Sequence, residues 1–167
     1  MITTYIAKGE ENIQVLVHGN VPKGSKVLRL PKEHEVATKR SWAYFQRCWR
    51  YNYDASGNPV GIYVDMDLAR EYHMAVLRES RDFVIKAYDL NTTKALERND
   101  KDRLQYIQAV KQQLRDLPNT LDLSKAETPD ELYNVAPHIL FGPPDGEEEV
   151  LPSSLQNHPG RNKKYGW

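Results

Sequence analysis

The stretch Gly19-Asn-Val-Pro-Lys-Gly24-Ser25-Lys26 has the four-residue gap of a phosphate-binding loop. That chemistry needs a lysine to reach the outer phosphates and then a hydroxyl for magnesium. Here Ser25 and Lys26 stand in the opposite order, and the following run meets Pro31 instead of opening a helix that could bind phosphate. Two turns between strands is the better reading. The five histidines, His18, His34, His73, His138 and His158, include no pair at i and i+4, so no helical zinc face is written. Asp65, Asp67 and Glu71 could ligate a hard cation, yet no D-x-D-x-D-G calcium loop surrounds them, and helix capping accounts for the two aspartates. The single cysteine, Cys48, has neighbouring arginines but no base assigned to it, and reads as a buried apolar thiol. With no G-x-S-x-G or dinucleotide-binding glycine pattern either, the expectation is a protein that is not an enzyme and carries no cofactor or metal.

The densest unusual feature lies at residues 39–53, where four basic and six aromatic side chains occupy fifteen positions. Stacked aromatics among cations can hold nucleic acid. The same residues can be core aromatics with solvated arginines behind them, or anchors of a protein interface, where Trp, Tyr and Arg dominate the energetics. Arg40, Trp42, Arg47, Trp49 and Tyr51 are taken as candidates for partner binding. The C-terminal Arg161, Lys163, Lys164, Tyr165 and Trp167 join them.

Two kinds of element must position these groups. Up to residue 64 the pattern is β-rich: Ile13, Val15 and Val17 alternate, Lys26-Val-Leu-Arg-Leu30 ends at Pro31, and 49–53 pairs with 60–64 across the turn-rich Asp54-Ala-Ser-Gly-Asn58. Between the last two lies a short aromatic helix, with Trp42, Phe45 and Trp49 on one face and Thr38 as its N-cap. From Asp65 the period changes to about 3.6. Leu68, Tyr72, Val76 and Phe83 form a stripe, flanked by Leu77, Val84 and Tyr88. A shorter helical piece is expected over 92–97, broken by Asn99-Asp100. Asp100 then caps a second long helix through Leu104, Ile107, Val110, Leu114 and Leu117, which Pro118 should stop. Thr128, Pro129 and Glu131 fit N-cap, N1 and N3 of a short helix that Pro137 should end.

The 167 residues balance 23 Lys and Arg against 23 Asp and Glu, which excludes a protein that coats nucleic acid uniformly. The balance is uneven along the chain. Residues 1–50 hold nine basic and four acidic side chains, residues 51–160 eleven and nineteen, and residues 161–167 three basic ones. Such segregation favours docking between opposite charges, including between copies of the chain. No apolar run is long enough to span a membrane, and no secretory signal is expected at Met1-Ile-Thr-Thr-Tyr-Ile-Ala-Lys8. Residues 142–167 contain four prolines and four glycines, and are expected to be extended.

Val64-Asp65-Met66-Asp67-Leu-Ala69-Arg70-Glu-Tyr72-His73-Met74, followed by Leu77-Arg78-Glu-Ser-Arg81 and later Leu114-Arg115-Asp116-Leu117-Pro118, carries a resemblance. Together these resemble the tail assembly chaperone-like family among small tail-region proteins of tailed bacteriophages. Members carry an LRxxR helix, an aspartate after it (Asp89 here) and a second helix ending in ALRDLP or ALRDIP. Thr128-Pro-Asp-Glu-Leu132 is similar to their T-P-E-E-L segment. The resemblance covers about residues 60–140. Many members have tryptophan after the aspartate, where this chain has Leu90, and residues past 141 have no counterpart.

The resemblance implies a non-catalytic protein that engages other phage tail or tail-fibre proteins, in the bacterial host cytoplasm during assembly or in the mature virion. A homo-oligomer fits the charge pattern, and nucleic acid and membrane are not expected partners. Arg78, Arg81 and Arg115 can pair with Asp82, Asp89 or Asp116 and fix the register of the helices. The fold class expected is α+β: a β-rich part over 1–64, an antiparallel helical hairpin with a short capping helix over 65–140, and an extended tail over 141–167. A chain ending at Phe141 should keep its far-ultraviolet circular dichroism and lose co-purifying partners; an unfolded truncation would contradict the division.

Overall fold

The computed structural model describes residues 1–141 of the chain. Small antiparallel sheets at the N-terminal end and a hairpin of two long helices make it an α+β protein. The expected tail, with Arg161, Lys163, Lys164, Tyr165 and Trp167, lies outside the described residues. Among the described residues two compact units can be distinguished, one formed by residues 1–73 and 124–134, the other by 74–123 and 135–141.

In the first unit β1 (Ile2–Ile6) is the centre of a three-stranded antiparallel sheet, between β2 (Gln14–Val15) and β3 (Lys26–Leu30). Thr4 faces both Val15 and Leu28 and is wholly buried; its hydroxyl donates to the Leu28 carbonyl at 3.0 Å and accepts from Tyr51 Oη at 2.9 Å. The strand expected over Ile13, Val15 and Val17 reduces to two residues. Ile13 is buried, but Val17 is 76% exposed, because the chain leaves the sheet edge toward the turn at Gly19.

The single aromatic helix expected near Trp42 is three short pieces: α1 (Glu35–Thr38), α2 (Arg40–Tyr44) and a 3₁₀ turn at Gln46–Cys48. Thr38 is not the N-cap. Lys39, in an extended conformation, separates α1 from α2, while Thr38 donates its hydroxyl back to the His34 carbonyl. β4 (Trp49–Tyr53) and β5 (Pro59–Val64) form the expected hairpin, with Trp49 opposite Val64 and Tyr51 opposite Ile62. Its turn works because the Asp54 carboxylate accepts from the Ser56 and Asn58 amides while Gly57 takes a φ of 81°, which a side chain would disfavour.

Asp65 opens α3 (Met66–Glu97) by accepting from the amides of Asp67 and Leu68. The helical piece expected over 92–97 is not separate but continues α3. Thr92 and Thr93 turn their hydroxyls onto the carbonyls of Tyr88 and Asp89, so neither competes for a non-helical conformation. α3 stops at Asn99, whose φ is 51°. There the Asn99 amide donates to the Leu96 carbonyl and the Asp100 amide to the Ala95 carbonyl, a Schellman closure with asparagine in place of glycine. Asp100 next caps α4 (Lys101–Thr120) through the Arg103 amide at 3.0 Å.

In the second unit Ala95, Tyr106, Ile107, Val110 and Leu114 form a buried cluster, with Val84, Ile85 and Tyr88 packed against it. The inward stripe of α3 thus runs through Leu77, Val84, Tyr88 and Ala95, and Phe83, expected on the packed stripe, is 75% exposed. The reason is rotation: each residue turns about 100°, so facing Val84 inward carries Phe83 toward solvent. Pro118 does not stop α4. It sits in the last turn, where one missing amide is tolerated and the Leu121 amide still reaches the Leu117 carbonyl at 3.0 Å.

α5 (Pro129–Tyr133) starts as the Thr128 pattern implied, with Thr128 accepting from the Glu131 amide and the Glu131 carboxylate accepting from the amide of Glu127. It ends at Tyr133, before Pro137, which instead precedes α6 (His138–Phe141). Ile139 and Leu140 of α6 pack on the hairpin cluster. Leu114→Ala should lower the unfolding free energy by about 3 kcal/mol in urea titration, whereas Leu96→Ala on the exposed side should change it by less than about 0.5 kcal/mol.

Candidate interaction surfaces

The basic-aromatic segment divides between core and solvent. Trp42, Trp49 and Tyr51 are 8%, 2% and 5% exposed, so their assignment to partner binding is corrected: they are core residues. The physical reason is the alternation of β4, which turns Trp49 and Tyr51 inward opposite Val64 and Ile62, while the Trp49 indole donates to the Trp42 carbonyl at 3.0 Å. Arg40 and Arg47 remain exposed. Cys48 is 1% exposed, and burial pushes its thiol pKa up, the expected inert core thiol.

A polar clasp unforeseen in the sequence joins α1 and α2 to α5. Lys39 Nζ lies 2.7 Å from Glu35 Oε1 and 2.9 Å from Asp130 Oδ2, and Ser41 Oγ donates to Asp130 Oδ1. The Glu35 and Asp130 carboxylates raise Lys39 to about 12, and the Ser41 hydroxyl, followed by Lys39, holds Asp130 below the usual carboxylate range. Beside this clasp Tyr44 is enclosed by Phe45, Tyr72, His73 and Tyr133, with ring centroids 4.7 to 5.6 Å away. Its hydroxyl lies 2.9 Å from His73 Nδ1, and burial raises the phenol to about 12. His73 is 5% exposed, and its place among rings is that of a structural histidine.

The first unit also has an open groove of about 680 Å³ between β1, β3 and the β4–β5 hairpin, lined by Lys8, Lys26, Arg50, Tyr53 and Tyr63 together with Glu10 and Glu11. Lys26 Nζ stands 4.6 Å above the Tyr53 ring. These residues were missed in the sequence because they come from four separate elements, and only the two turns at Gly9 and Gly24 hint that the chain returns there. The two glutamates offset much of the cationic charge.

On the hairpin, one of the expected ion pairs forms, but within a single helix. Arg81 pairs with its neighbour Asp82 at 2.7 Å, within one helix. Asp116 accepts from Gln112, also within one helix, and Arg78 and Arg115 are exposed. The cross-helix tie is Asp89 with Lys111, a lysine that was not singled out. Among the described residues the apolar cluster and the Asp89–Lys111 pair tie the two helices together, and the assignment of that role to Arg78, Arg81, Arg115 and Asp116 is corrected. Arg78, Arg115 and Asp116 are exposed, where water solvates their charges more cheaply than burial would.

The outer side of α3 is the most apolar exposed helix face described. Phe83 is 75% and Leu90 61% exposed on this face, while the opposite side of the same helix packs on α4; Leu96, 61% exposed, lies on a different flank. A depression next to Phe83 is lined by Ala75, Arg78, Glu79, Asp82 and Lys86, all on α3 itself, so it is a helix surface and not an enclosed pocket. Among the described residues no three His, Cys, Asp or Glu side chains converge as metal ligands would, and no helix is long and apolar enough to cross a membrane. Compared with family models, curated proteins and solved structures, the chain matches none.

Asp130→Asn tests the clasp. A depressed carboxylate stabilises above its unfolded pKa and loses that contribution as pH falls through the folded value; a raised lysine stabilises below its unfolded pKa and loses it as pH rises through about 12. The variant should therefore have a lower urea midpoint than the parent from about pH 5 to 10, and the difference should shrink below about pH 4.

Proposed function

We propose that this chain is a non-catalytic tail-region protein of a tailed bacteriophage, acting through contacts with other tail or tail-fibre proteins. It serves either as an assembly factor in the bacterial host cytoplasm or as a minor component of the mature virion. The observation that carries the reading is the exposed apolar face of α3, where Phe83 and Leu90 stand in water on a helix whose opposite side packs on the hairpin cluster. Apolar groups clustered on one solvent-facing surface mark a place where another protein sits. The resemblance of Leu77-Arg78-Glu-Ser-Arg81 and Leu114-Arg115-Asp116-Leu117-Pro118 to the tail assembly chaperone-like pattern supplies the biological setting.

The alternative, a nucleic-acid-binding accessory protein using residues 39–53, is weakened by burial of the aromatics that would stack on bases. With Trp42, Trp49 and Tyr51 in the core, the segment leaves Tyr53, Arg40 and Arg47 exposed and loses the pair of indoles that would stack on bases.

Two measurements test the reading in one infection. Mass spectrometry of purified particles should find peptides of this chain if it is a virion component. Affinity capture of the tagged full-length chain from the infected host should recover a tail or tail-fibre protein if it is an assembly factor. Absence from particles together with no tail protein captured would sink the proposal.

A further inference from the structure

The outer face of α3 has a symmetry of its own. Measured from the midpoint between Lys86 and Ala87, Phe83 and Leu90 lie equally far to either side, and Glu79 and Lys94 lie four residues further out. At about 100° per residue these four positions and Ala87 fall within roughly a quarter-turn of the helix circumference. All five are exposed. The apolar pair sits at the centre, and the flanking charges are opposite in sign. Among the described residues neither Glu79 nor Lys94 has an ion-pair partner.

A two-fold axis through that midpoint, perpendicular to the helix, would lay α3 antiparallel on the α3 of a second copy. Phe83 then faces Leu90 of the other copy, and Leu90 faces its Phe83. Glu79 faces the opposing Lys94 at both ends. An isologous contact requires such reciprocity: if position i meets j, then j must meet i. The parallel arrangement would place Glu79 beside Glu79 and Lys94 beside Lys94, which like-charge repulsion disfavours. Lys86 and its copy flank the axis, and their flexible stems can carry the ammonium groups outward into water.

We propose that the chain self-associates through this face as an antiparallel α3–α3 homodimer, with Phe83 and Leu90 as its apolar anchors and the Glu79–Lys94 pairs setting its polarity. This rests on the reading of the α3 face as a protein-contact surface and names its occupant. The palindromic placement argues for a second copy over an unrelated partner, because a heterologous interface has no need of matched spacings with reversed charge. One helix face per copy buries less than the roughly 1,600 Å² of a standard interface, so the dissociation constant should be on the order of micromolar.

Sedimentation equilibrium of the full chain, from about 1 to 200 µM, reads this directly. The expected result is a monomer–dimer equilibrium that Phe83→Asp with Leu90→Asp abolishes, while circular dichroism and the urea midpoint at low concentration stay unchanged. Glu79→Lys alone, or Lys94→Glu alone, should weaken the dimer by roughly tenfold. The two changes combined should restore it, since the reversed pairs are again opposite. A monomer at every concentration, a dimer indifferent to Phe83 and Leu90, or a double charge reversal no better than either single one would each overturn the proposal. A monomer that still captures a tail protein overturns self-pairing and leaves the tail-region reading standing.

Discussion

The second unit depends on the reversal at Asn99-Asp100. One residue in the left-handed region ends α3, and the next caps α4, so two helix termini are satisfied within two positions. The carbonyls of Ala95 and Leu96 receive the amides of Asp100 and Asn99, and the Asp100 carboxylate receives the amide of Arg103. With so few residues between them, the helices must return alongside each other, and their rotation about their own axes is set at the turn. Everything else in the unit follows from that rotation. Ala95, Tyr106, Ile107, Val110 and Leu114 close on one side, Asp89 meets Lys111, and Phe83 and Leu90 are left on the other.

The first unit solves a different problem, that of a small sheet with too little apolar surface to hold itself. Thr4 in the central strand is fully buried, which is affordable only because its hydroxyl both donates, to Leu28, and accepts, from Tyr51. That bond links the three-stranded sheet to the β4–β5 hairpin. Trp49, Phe45, Cys48 and Leu132 supply the apolar volume around it. The aromatics that looked like a binding platform are consumed in this core, because a unit so small has few other large side chains with which to exclude water.

Much of the secondary structure was legible. The 3.6-residue period located both long helices, the Asp54–Asn58 turn located the β4–β5 hairpin, and Asp65, Asp100 and Thr128 all cap the helices their spacing implied. Pro118 was weighted as a stop, yet it lies in the last turn and the Leu121 amide still reaches the Leu117 carbonyl; the piece expected over 92–97 proves continuous with α3, where the Thr92 and Thr93 hydroxyls bond carbonyls one turn back. The short helices near Trp42 and the truncated β2 were hidden because their ends are set by neighbours distant in the chain.

The candidate surface was less legible. Its residue types are in the sequence, and so is the palindromic spacing of Glu79, Phe83, Leu90 and Lys94. Periodicity by itself placed Phe83 on the packed stripe, because an apolar residue near a stripe and one on it differ by a single 100° step. Sequence alone determined what depends on neighbours a few residues away: most of the helical and strand segments, and the caps at Asp65, Asp100 and Thr128. Only the tertiary structure decided which side of α3 faces α4, which aromatics fill the first unit, and that Lys39, Ser41 and Asp130 form one clasp. Those outcomes depend on contacts between residues far apart in the chain, and such contacts exist only once the elements have packed.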